Sequence, residues 1–346
     1  MRFAGANVLV TGGLGFVGAR VARALAAEGA SITILDNGFN GSEQAVAGVP
    51  ARVVKGSVTD ADLVADLVRP ADLVFHMAAQ SIIASTANPR DDFASNFIGT
   101  VNVLMAMKDR PTDACRMIYT SSASVYGNPR HLPVAEDDGF SVLSPYAAGK
   151  LCGEHYCQAF YEVYGIQSAI VRYSNVYGPG QTNRNPYCGV IGKFMESALN
   201  GRPLLIHGDG EQTRDFTYVD DAVEATLLAA LVPAAVGDVF NVGTGTEYSI
   251  NTLARLVLEA TGSASPIAYV AKRDIDNIPR RAVSIEKARR RLRWAPRVRL
   301  PEGIRRTAAW YREMASGGAD PGLDAGPGRK AGPGPSATAE VTAEGP

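Results

Sequence analysis

The sequence predicts an α/β fold in which a doubly wound parallel sheet carries helices on both faces. Short β-branched apolar segments alternate with helical segments through the first half of the chain, as they do in parallel sheets with crossover helices. A cluster of glycines separates the first apolar segment from the first helical one. The chain has 346 residues, which is enough for one large domain or two closely joined ones.

The predicted strands and helices follow one another along the chain. The strands cover residues 7–13, 31–36, 52–56, 72–78, 116–122 and 167–173. Apolar residues at helical spacing predict a helix over 16–29. A longer helix is predicted over 144–165, because Ser144 suits the N-cap, Pro145 the first turn and Gly165 the end.

The chain is expected to divide near residue 175. Residues 1–175 should form most of the sheet domain, joined by a strand and a helix from later segments, and residues 176–314 should form a smaller C-terminal α/β lobe. The elements predicted for this lobe are a helix near 188–200, a strand at 203–207, a helix from Asp220 and a helix over 249–262. Residues 315–346 are rich in Gly, Pro and Ala, so we expect a disordered tail there.

The composition is that of a globular protein without a strong electrostatic partner. Hydrophobic residues make up 46% of the chain, charged residues 20%, and the formal net charge is −1. We therefore expect neither nucleic acid nor a membrane surface as a partner, and no apolar segment approaches the roughly 20 residues that span a bilayer. The four cysteines form no Cys-x-x-Cys pair and the start of the chain shows no signal-peptide pattern. These features favour free thiols, no metal site and a cytoplasmic location.

The glycine cluster has the arrangement of a phosphate cradle. Gly12, Gly15 and Gly18 stand between the first predicted strand and the first predicted helix. Glycine allows the tight turn and lets the backbone approach a pyrophosphate, which the helix N-terminus attracts. Asp36 ends the second strand 18 residues after Gly18, where a carboxylate accepts hydrogen bonds from the adenosine ribose and repels a 2′-phosphate. These residues predict a Rossmann-type fold that binds NAD rather than NADP.

Tyr146 and Lys150 form a candidate catalytic pair. They stand four residues apart on the predicted helix 144–165 and therefore share one face of it. A phenol has a pKa of about 10, and a nearby ammonium, together with the positive nicotinamide ring of oxidised NAD, should lower that pKa. A tyrosine tuned in this way can take the proton of a sugar hydroxyl while the same carbon is oxidised. Lys150 is also a candidate donor to the nicotinamide ribose.

With these features in place, the chain resembles the extended short-chain dehydrogenases/reductases, and within them the nucleotide-sugar epimerase/dehydratase family. The resemblance spans roughly residues 6–312 and is most like the UDP-sugar 4-epimerases. The segments that carry it are TGGLGFVG (11–18), HMAAQ (76–80), TSSASVYG (120–127), SPYAAGK (144–150), RYSNVYGPGQ (172–181), GDGEQTRDFTYVDD (208–221) and FNVGTG (240–245).

The resemblance implies a catalytic triad of Ser122, Tyr146 and Lys150. In the family, the second hydroxyl residue of the pair before Val-Tyr-Gly contacts the substrate hydroxyl that is oxidised, and in this chain that position is Ser122. The strand that ends at Ser122 would bring it close to Tyr146. The smaller C-terminal lobe would then be the part that binds the nucleotide sugar.

The neighbouring residues bear on which reaction the triad performs. Thr120 and Ser121 are expected to form hydrogen bonds at the strand end, Tyr126 to pack, and Ser124 to support Ser122 or touch the sugar. Family dehydratases place Asp-Glu after the catalytic hydroxyl residue and family decarboxylases a Glu, whereas this chain has Ala123 followed by Ser124. Without these acids, the resemblance implies 4-epimerisation of a UDP-sugar through a transient 4-keto intermediate, with NAD regenerated in each cycle.

Other readings of the same motifs stay open. A decarboxylase, a dehydratase or a dehydrogenase of nucleotide sugars would use the same scaffold. A protein of another class, which senses NAD without catalysis, would also keep the glycine cradle. Such proteins commonly lose the tyrosine or the lysine, and this chain retains both Tyr146 and Lys150.

The resemblance also implies contacts to the two ligands. In addition to the residues above, those implied to bind NAD are Phe16, Val17, Asn37, Asn40, Ser57, Val58, Met77, Ala78, Ala79, Gln80, Asn96 and Tyr173. Those implied to bind the UDP-sugar, with Ser124, are Asn175, Arg184, Val190, His207, Arg214, Arg273, Asp276 and Arg280. Arg214 is expected to pair with a phosphate through bidentate hydrogen bonds. Arg280 or Arg281 is an alternative to Arg273 at the diphosphate.

Three further expectations concern the sugar, the assembly and a histidine. Arg184 makes a carboxylate at C6 possible, as in UDP-glucuronate, but a solvent-facing Arg184 would leave a hydroxymethyl group, as in UDP-glucose. The family resemblance implies a homodimer, formed through a bundle that uses the helix at 144–165. His76 lies in an apolar strand and is expected to be a satisfied core residue rather than a ligand.

Overall fold

The computed structural model describes residues 3–111, 114–181, 189–273 and 277–316. In chain order the strands are β1 (Asn7–Thr11), β2 (Ser31–Asp36), β3 (Ala51–Lys55), β4 (Leu73–His76), β5 (Arg116–Ser122), β6 (Ser168–Tyr173), β7 (Asn175–Tyr177), β8 (Leu204–His207), β9 (Thr213–Tyr218), β10 (Val239–Val242), β11 (Glu247–Ser249) and β12 (Ile267–Val270). The helices are α1 (Phe16–Ala27), α2 (Ala61–Val68), α3 (Ile82–Ala87), α4 (Pro89–Asp92), α5 (Gly99–Lys108), α6 (Pro145–Tyr164), α7 (Val190–Leu199), α8 (Val219–Leu231), α9 (Ile250–Thr261), α10 (Glu286–Arg291) and α11 (Leu300–Ala315). A π-helical turn, Phe93–Ile98, joins α4 to α5.

The central sheet has seven strands in the order β10-β6-β5-β4-β1-β2-β3. Every pairing in it is parallel. The chain moves outward from β1 in one direction through β2 and β3, and in the other through β4, β5 and β6. Ligands of such sheets bind beyond the carboxyl ends of the strands, at the point where the direction changes. The prediction of a doubly wound parallel sheet is confirmed.

Alternating side chains divide the sheet between two apolar layers. Val8 and Val10 face one side, where they join a cluster that includes Leu25 of α1. Leu9 faces the other side and joins a cluster that includes Leu104 of α5. Because strand side chains alternate in direction, one short strand supplies both cores. The sheet is therefore covered by α1 and α8 on one face and by α2, α5 and α6 on the other.

Helix α6 carries the candidate catalytic pair and has the predicted ends. The Ser144 hydroxyl accepts a hydrogen bond from the Ala147 amide at 3.2 Å, and Pro145 occupies the first turn. Gly165 ends the helix in the left-handed conformation, with φ of 70°, which glycine adopts without a steric cost. The helix is held on the sheet by Phe160, which belongs to the same apolar cluster as β5.

The second lobe has its own apolar core. Helices α7, α9 and α11 pack with β8 and β9 around a buried cluster that includes Phe194, Leu253 and Ile304. By contrast, β10 is an edge strand of the central sheet and α8 packs against α1, although both follow residue 175 in the chain. We therefore propose the predicted division near residue 175, with β10 and α8 as the later elements that join the sheet domain. The helix predicted from Asp220 is α8, and its assignment to the smaller lobe is wrong, because its buried face packs against α1 and the central sheet.

The end of the described chain corrects one boundary. The sequence analysis placed the start of a disordered tail at residue 315 and did not predict α11. Leu300, Ile304 and Ala308 are spaced by four residues and bury one face of that helix, which continues to Ala315. The rest of the predicted tail, beyond Ser316, lies outside the described residues. Among the described helices, none is both long enough and apolar enough to cross a membrane.

Candidate active site

The glycine cradle lies where β1 passes into α1. Gly12 has a φ of 69°, a left-handed conformation that disfavours other residues. A Cβ atom on Gly18 would lie 2.2 Å from the carbonyl oxygen of Gly12, so the turn closes only with glycine at that position. Gly15 is the N-cap of α1. The first backbone N–H groups of the helix therefore face the crevice, as an anion site requires.

Asp36 is held in place at the end of β2. Its Oδ2 atom accepts a hydrogen bond from the Leu14 amide at 3.0 Å, and its Oδ1 atom accepts one from the Gly38 amide at 2.8 Å. A carboxylate has about four acceptor positions, so each oxygen keeps capacity for a ribose hydroxyl. The predicted role of Asp36 in binding the ribose of NAD thus fits its geometry.

A cavity of 120 Å³ opens between the cradle and Asp36. Eleven of the residues predicted to bind NAD line it, namely Gly12, Gly15, Asp36, Asn37, Asn40, Ser57, Val58, Met77, Ala78, Ala79 and Gln80. Asn40 Oδ1 and Gln80 Oε1 are buried there without a hydrogen-bond partner among the described residues. Buried polar atoms are ordinarily paired, so this cavity is suited to a ligand rich in hydrogen-bonding groups, and the residues present fit NAD.

The remaining predicted NAD residues do not line this cavity. Phe16, Val17 and Gly18 belong to the first turn of α1. Asn96 is buried and accepts the Gln80 amide hydrogen bond at 2.7 Å, so it shapes the cavity through its neighbour. Tyr173 lies opposite Ser122 in the β5–β6 register, and its hydroxyl is 2.6 Å from that of Thr226.

The three predicted catalytic residues come together beyond the carboxyl end of β5. Ser122 is the last residue of that strand, and its side chain is close enough to the Tyr146 phenol to hydrogen-bond it and lower its pKa. Lys150 follows Tyr146 by one turn of α6. Its ammonium is buried and donates to the Thr120 carbonyl at 2.7 Å. This arrangement places a candidate general acid–base group beside a hydroxyl, with a buried cation one turn further along the same helix.

Several groups act on the pKa of Tyr146. Burial raises the pKa of its phenol, and Asp92 adds to the rise, while Ser122 and Arg281 oppose it. The lowering of this pKa that is expected from Lys150 and the nicotinamide ring stays a prediction. Burial lowers the pKa of Lys150 to about 8, against the opposite effect of Asp92 and Glu154.

The two hydroxyls before Ser122 are structural, as predicted. Thr120 Oγ1 donates to the His76 carbonyl oxygen at 3.1 Å, which ties β5 to β4. Ser121 donates to the buried Glu154 carboxylate. Neither hydroxyl is left for a substrate.

The two hydroxyls after Ser122 differ from each other. Tyr126 donates to Asn241 Oδ1 at 2.7 Å and accepts from Arg172 Nη1 at 2.7 Å, so its predicted packing role is confirmed. The Ser124 hydroxyl is buried and has no partner among the described residues. The Ser124 backbone amide donates to the Ser122 hydroxyl at 3.2 Å, and the two predicted roles of its side chain, support of Ser122 or contact with the sugar, stay predictions.

His76 is a satisfied core residue, as predicted. Its Nδ1 atom is 2.8 Å from the Thr11 hydroxyl and its Nε2 atom is 3.0 Å from the Thr100 hydroxyl. Burial, and secondly the Lys150 charge, lower its pKa to about 3. The ring is therefore neutral at physiological pH and adds no charge to the site.

A larger cavity, of 560 Å³, is lined mainly by residues of the smaller lobe, together with Ile82 and Ile83 of α3. Six of the residues predicted to bind the UDP-sugar line it, namely Asn175, Val190, His207, Arg214, Arg273 and Arg280. The predicted Arg184 and Asp276 lie outside the described residues.

The lining residues differ in how firmly they are held. Arg214 is buried and donates from Nη1 to the Thr213 and Ile278 carbonyls at 2.8 and 2.7 Å. His207 is fixed by contact of Nδ1 with the Ala271 carbonyl at 2.9 Å. Arg280 is exposed and forms an ion pair with Glu247 at the rim. Arg214 is thus the preorganised cation of the cavity.

Sequence reasoning missed the buried charges that support the site. Glu154 and Arg172 form an ion pair, with Nη2 and Oε2 2.6 Å apart, behind the catalytic residues. A signal was available, because Glu154 stands four residues after Lys150 and therefore shares its buried helix face. Asp92 lies in a polar segment that gives no comparable signal, although the structure buries it beside the same helix.

Comparisons with known proteins agree with this geometry. A model of the NAD dependent epimerase/dehydratase family matches residues 8–243. The chain is 36% identical over 316 residues to the UDP-glucose 4-epimerase of Mycolicibacterium smegmatis, a match that covers 89% of this chain and 99% of that protein. It is 35% identical over 323 residues to the UDP-N-acetyl-alpha-D-glucosaminuronate decarboxylase of Bacillus cytotoxicus, which covers 88% and 98%.

Solved structures show the same likeness. A UDP-glucose 4-epimerase of Thermotoga maritima, determined with UDP-glucose, has a TM-score of 0.85 and 33% identity to this chain, with coverage of 89% of this chain and 99% of that one. The family model covers more than half of the chain, the relatives are matched nearly end to end, and the solved structure shares the fold. The chain therefore belongs to the NAD dependent epimerase/dehydratase family, and NAD is its cofactor.

Proposed function

We propose that the protein catalyses NAD-dependent 4-epimerisation of a UDP-sugar. The observation that carries this proposal is the assembled group of Ser122, Tyr146 and Lys150, with Ala123 and Ser124 in place of an acid after Ser122. An acid at that point would be needed to eliminate water. Without one, reduction of the oxidised sugar is the simplest outcome.

The 560 Å³ cavity is the proposed UDP-sugar site. Arg214 and Arg273 are the proposed partners of the diphosphate, since guanidinium groups form charge-assisted hydrogen bonds with phosphate oxygens. Asn175 and His207 extend the same wall of the cavity. Held in this way, the sugar ring would reach the Ser122 and Ser124 hydroxyls.

Tyr146 is the proposed general acid–base residue. It takes the proton of the C4 hydroxyl, while Ser122 hydrogen-bonds the same oxygen, and it returns the proton when the hydroxyl is restored. Lys150 supplies positive charge to this end of the site. When bound, NAD in its oxidised form supplies a hydride acceptor. If the keto sugar turns over before reduction, the hydroxyl is restored with the opposite configuration.

A decarboxylase is the second candidate, favoured by the likeness to the Bacillus cytotoxicus protein. The carboxylate that family decarboxylases carry near Ser122 is replaced here by Ala123. Net oxidation and NAD sensing are further alternatives. Each of these reactions gives a different product, so product identity separates them.

The first prediction concerns that product. Purified protein, incubated without added cofactor, should convert UDP-glucose to UDP-galactose, or UDP-glucuronate to UDP-galacturonate, with no free NADH. Proton NMR of the product and absorbance at the NADH band are the measurements. Release of carbon dioxide together with a UDP-pentose would establish the decarboxylase instead. Bound NAD without turnover of any of these four UDP-sugars would establish a protein that binds NAD without catalysis.

We further propose that the protein is a homodimer joined through α6. Aromatic rings form a row along α6 and the π-helical turn, with centroids 5.4 Å apart for Phe93–Phe97, 4.9 Å for Phe97–Tyr156 and 5.0 Å for Phe160–Tyr164. Phe160 is the buried member of this row, and Phe93, Tyr156 and Tyr164 are its exposed members. Phe93 is 56% exposed and Tyr156 42%. Contiguous apolar surface of this kind is typical of interfaces, and a two-fold axis would bury the same row on both copies.

A second prediction follows from this surface. Light scattering should give twice the chain mass for the wild type, and Tyr156→Glu should shift the protein toward the monomer, because it puts a charge in the apolar face. Tyr269→Glu is the matched control, since Tyr269 is also exposed but lies on the smaller lobe. A monomeric wild type, or an unshifted Tyr156→Glu variant, would contradict the proposed interface.

A further inference from the structure

Asp92 is a buried carboxylate beside the active site to which the proposed mechanism assigns no role. It is the last residue of α4 and is only 2% exposed. Its Oδ1 atom accepts two short hydrogen bonds, one from the Ser85 hydroxyl at 2.5 Å and one from Asn96 Nδ2 at 2.5 Å. A buried carboxylate is costly, so its retention here requires an explanation.

The first connection of Asp92 leads to the cofactor cavity. Because Asn96 donates its amide nitrogen to Asp92, its Oδ1 atom is turned the other way and accepts the Gln80 amide hydrogen bond at 2.7 Å. Gln80 lines the NAD cavity. Asp92 thus determines which end of the Asn96 side chain faces the segment between β4 and α3, residues 77–81, which carries Gln80 and is called the cofactor loop below.

The second connection leads to the catalytic helix. A Cβ atom on Gly149 would lie 3.0 Å from Asp92 Oδ2, so this oxygen packs against the α6 backbone next to Lys150. The interior there has a low effective dielectric, which strengthens the interaction between the carboxylate and the ammonium. Asp92 is therefore placed to act on the cofactor loop and on the catalytic lysine together.

We propose that Asp92 is a positioning residue that orients the cofactor loop through Asn96 and keeps Lys150 in its cationic form. The part that concerns catalysis rests on the proposed epimerase function, whereas the part that concerns the cofactor loop does not. A cationic Lys150 donates charge-assisted hydrogen bonds, which are stronger than those the neutral amine would donate to the nicotinamide ribose.

The other groups around Lys150 leave this task to Asp92. The groups that face it are Asp92 from α4, Glu154 and Cys157 from α6, His76 from β4, and the Tyr119 ring and Thr120 carbonyl from β5. Burial raises the pKa of the Cys157 thiol, which is therefore uncharged, and His76 is neutral. Glu154 is engaged by Arg172 and Ser121. Asp92 is the group that most favours the protonated form of Lys150.

The charge of Asp92 is tested by Asp92→Asn, in which the amide oxygen can still accept from Ser85 and Asn96. The lysine pKa, about 8 with Asp92 present, falls when the carboxylate is neutralised. Lys150 then loses its proton at lower pH. In a plot of NAD affinity against pH, the decline on the alkaline side (the alkaline limb) should therefore shift to lower pH by about one unit. The alkaline limb of turnover should move with it. NAD affinity is measured between pH 6 and pH 10 by isothermal titration, after the NAD that copurifies with the protein has been removed.

The loop connection is tested by Asp92→Ala, which removes both hydrogen bonds. We expect NAD affinity at pH 7 to fall by roughly 10-fold, the equivalent of one charge-assisted hydrogen bond. Asp91→Asn is the matched control, because Asp91 is the neighbouring residue on α4 but is exposed. This variant should retain the wild-type alkaline limb and the wild-type NAD affinity at pH 7.

The outcomes separate this proposal from the proposed function. If Asp92→Asn shows the same alkaline limb as Asp91→Asn, the proposal is overturned, and this result is obtained even if Asp92→Ala does not fold. If NAD affinity behaves as expected but no UDP-sugar is turned over, the positioning role stands and the epimerase function fails.

Discussion

Tyr146→Phe is expected to lower turnover by at least roughly 10²-fold, the contribution typical of a general acid–base group. The substitution removes only the phenolic oxygen, which is the atom close to Ser122. The phenylalanine ring retains the packing of the half-buried tyrosine at the start of α6. The loss should therefore fall on kcat rather than on folding or on NAD binding.

The measurement is kcat for the UDP-sugar that the wild type epimerises, together with NAD content after purification. Tyr156→Phe is a suitable control, because it removes a phenolic oxygen from the same helix on the exposed side. Turnover within about 2-fold of wild type for Tyr146→Phe would exclude Tyr146 from the proton transfer. Loss of NAD from the variant would instead mean that the phenol helps to hold the cofactor.

Features encoded by adjacent residues could be predicted from the sequence. The ends of α6 depend on Ser144, Pro145 and Gly165, which act within one turn of their own positions, and the structure confirms them. The strands could be predicted for a related reason. Both faces of the sheet are covered by helices, so the middle of β5 carries apolar side chains on both faces and polar hydroxyls only at its carboxyl end. A short apolar segment of this kind is easily distinguished from the polar turns around it.

Features encoded by distant pairs could not be predicted in this way. Glu154 and Arg172 are 18 residues apart in the chain and meet only because β6 lies beside β5 beneath α6. The burial of Tyr146 has the same origin. The four-residue spacing to Lys150 was visible in the sequence, but the burial that raises the pKa of the phenol depends on the whole fold.

The second large effect is expected on stability, from Glu154→Ala. The Arg172 guanidinium is 3% exposed and Glu154 2%, so the ion pair is shielded from water. Removing one partner of a buried ion pair costs about 3–5 kcal/mol, because it leaves the other charge buried and unpaired. That cost is a large part of the 5–15 kcal/mol by which a protein is typically stable. Chemical denaturation should show the loss as a lower midpoint.

Two comparisons identify the unpaired charge as the cause. Glu162→Ala, on the exposed side of α6, should change the free energy of unfolding by no more than about 0.5 kcal/mol. The double variant Glu154→Met/Arg172→Met should recover at least half of the loss, since an apolar pair often replaces a buried ion pair without penalty. Recovery should be incomplete, because Arg172 also donates to Tyr126 and to the Glu136 carbonyl. If the loss in the double variant equals the sum of the losses in the single variants Glu154→Met and Arg172→Met, the two residues contribute independently and the pair is not the source of the stability.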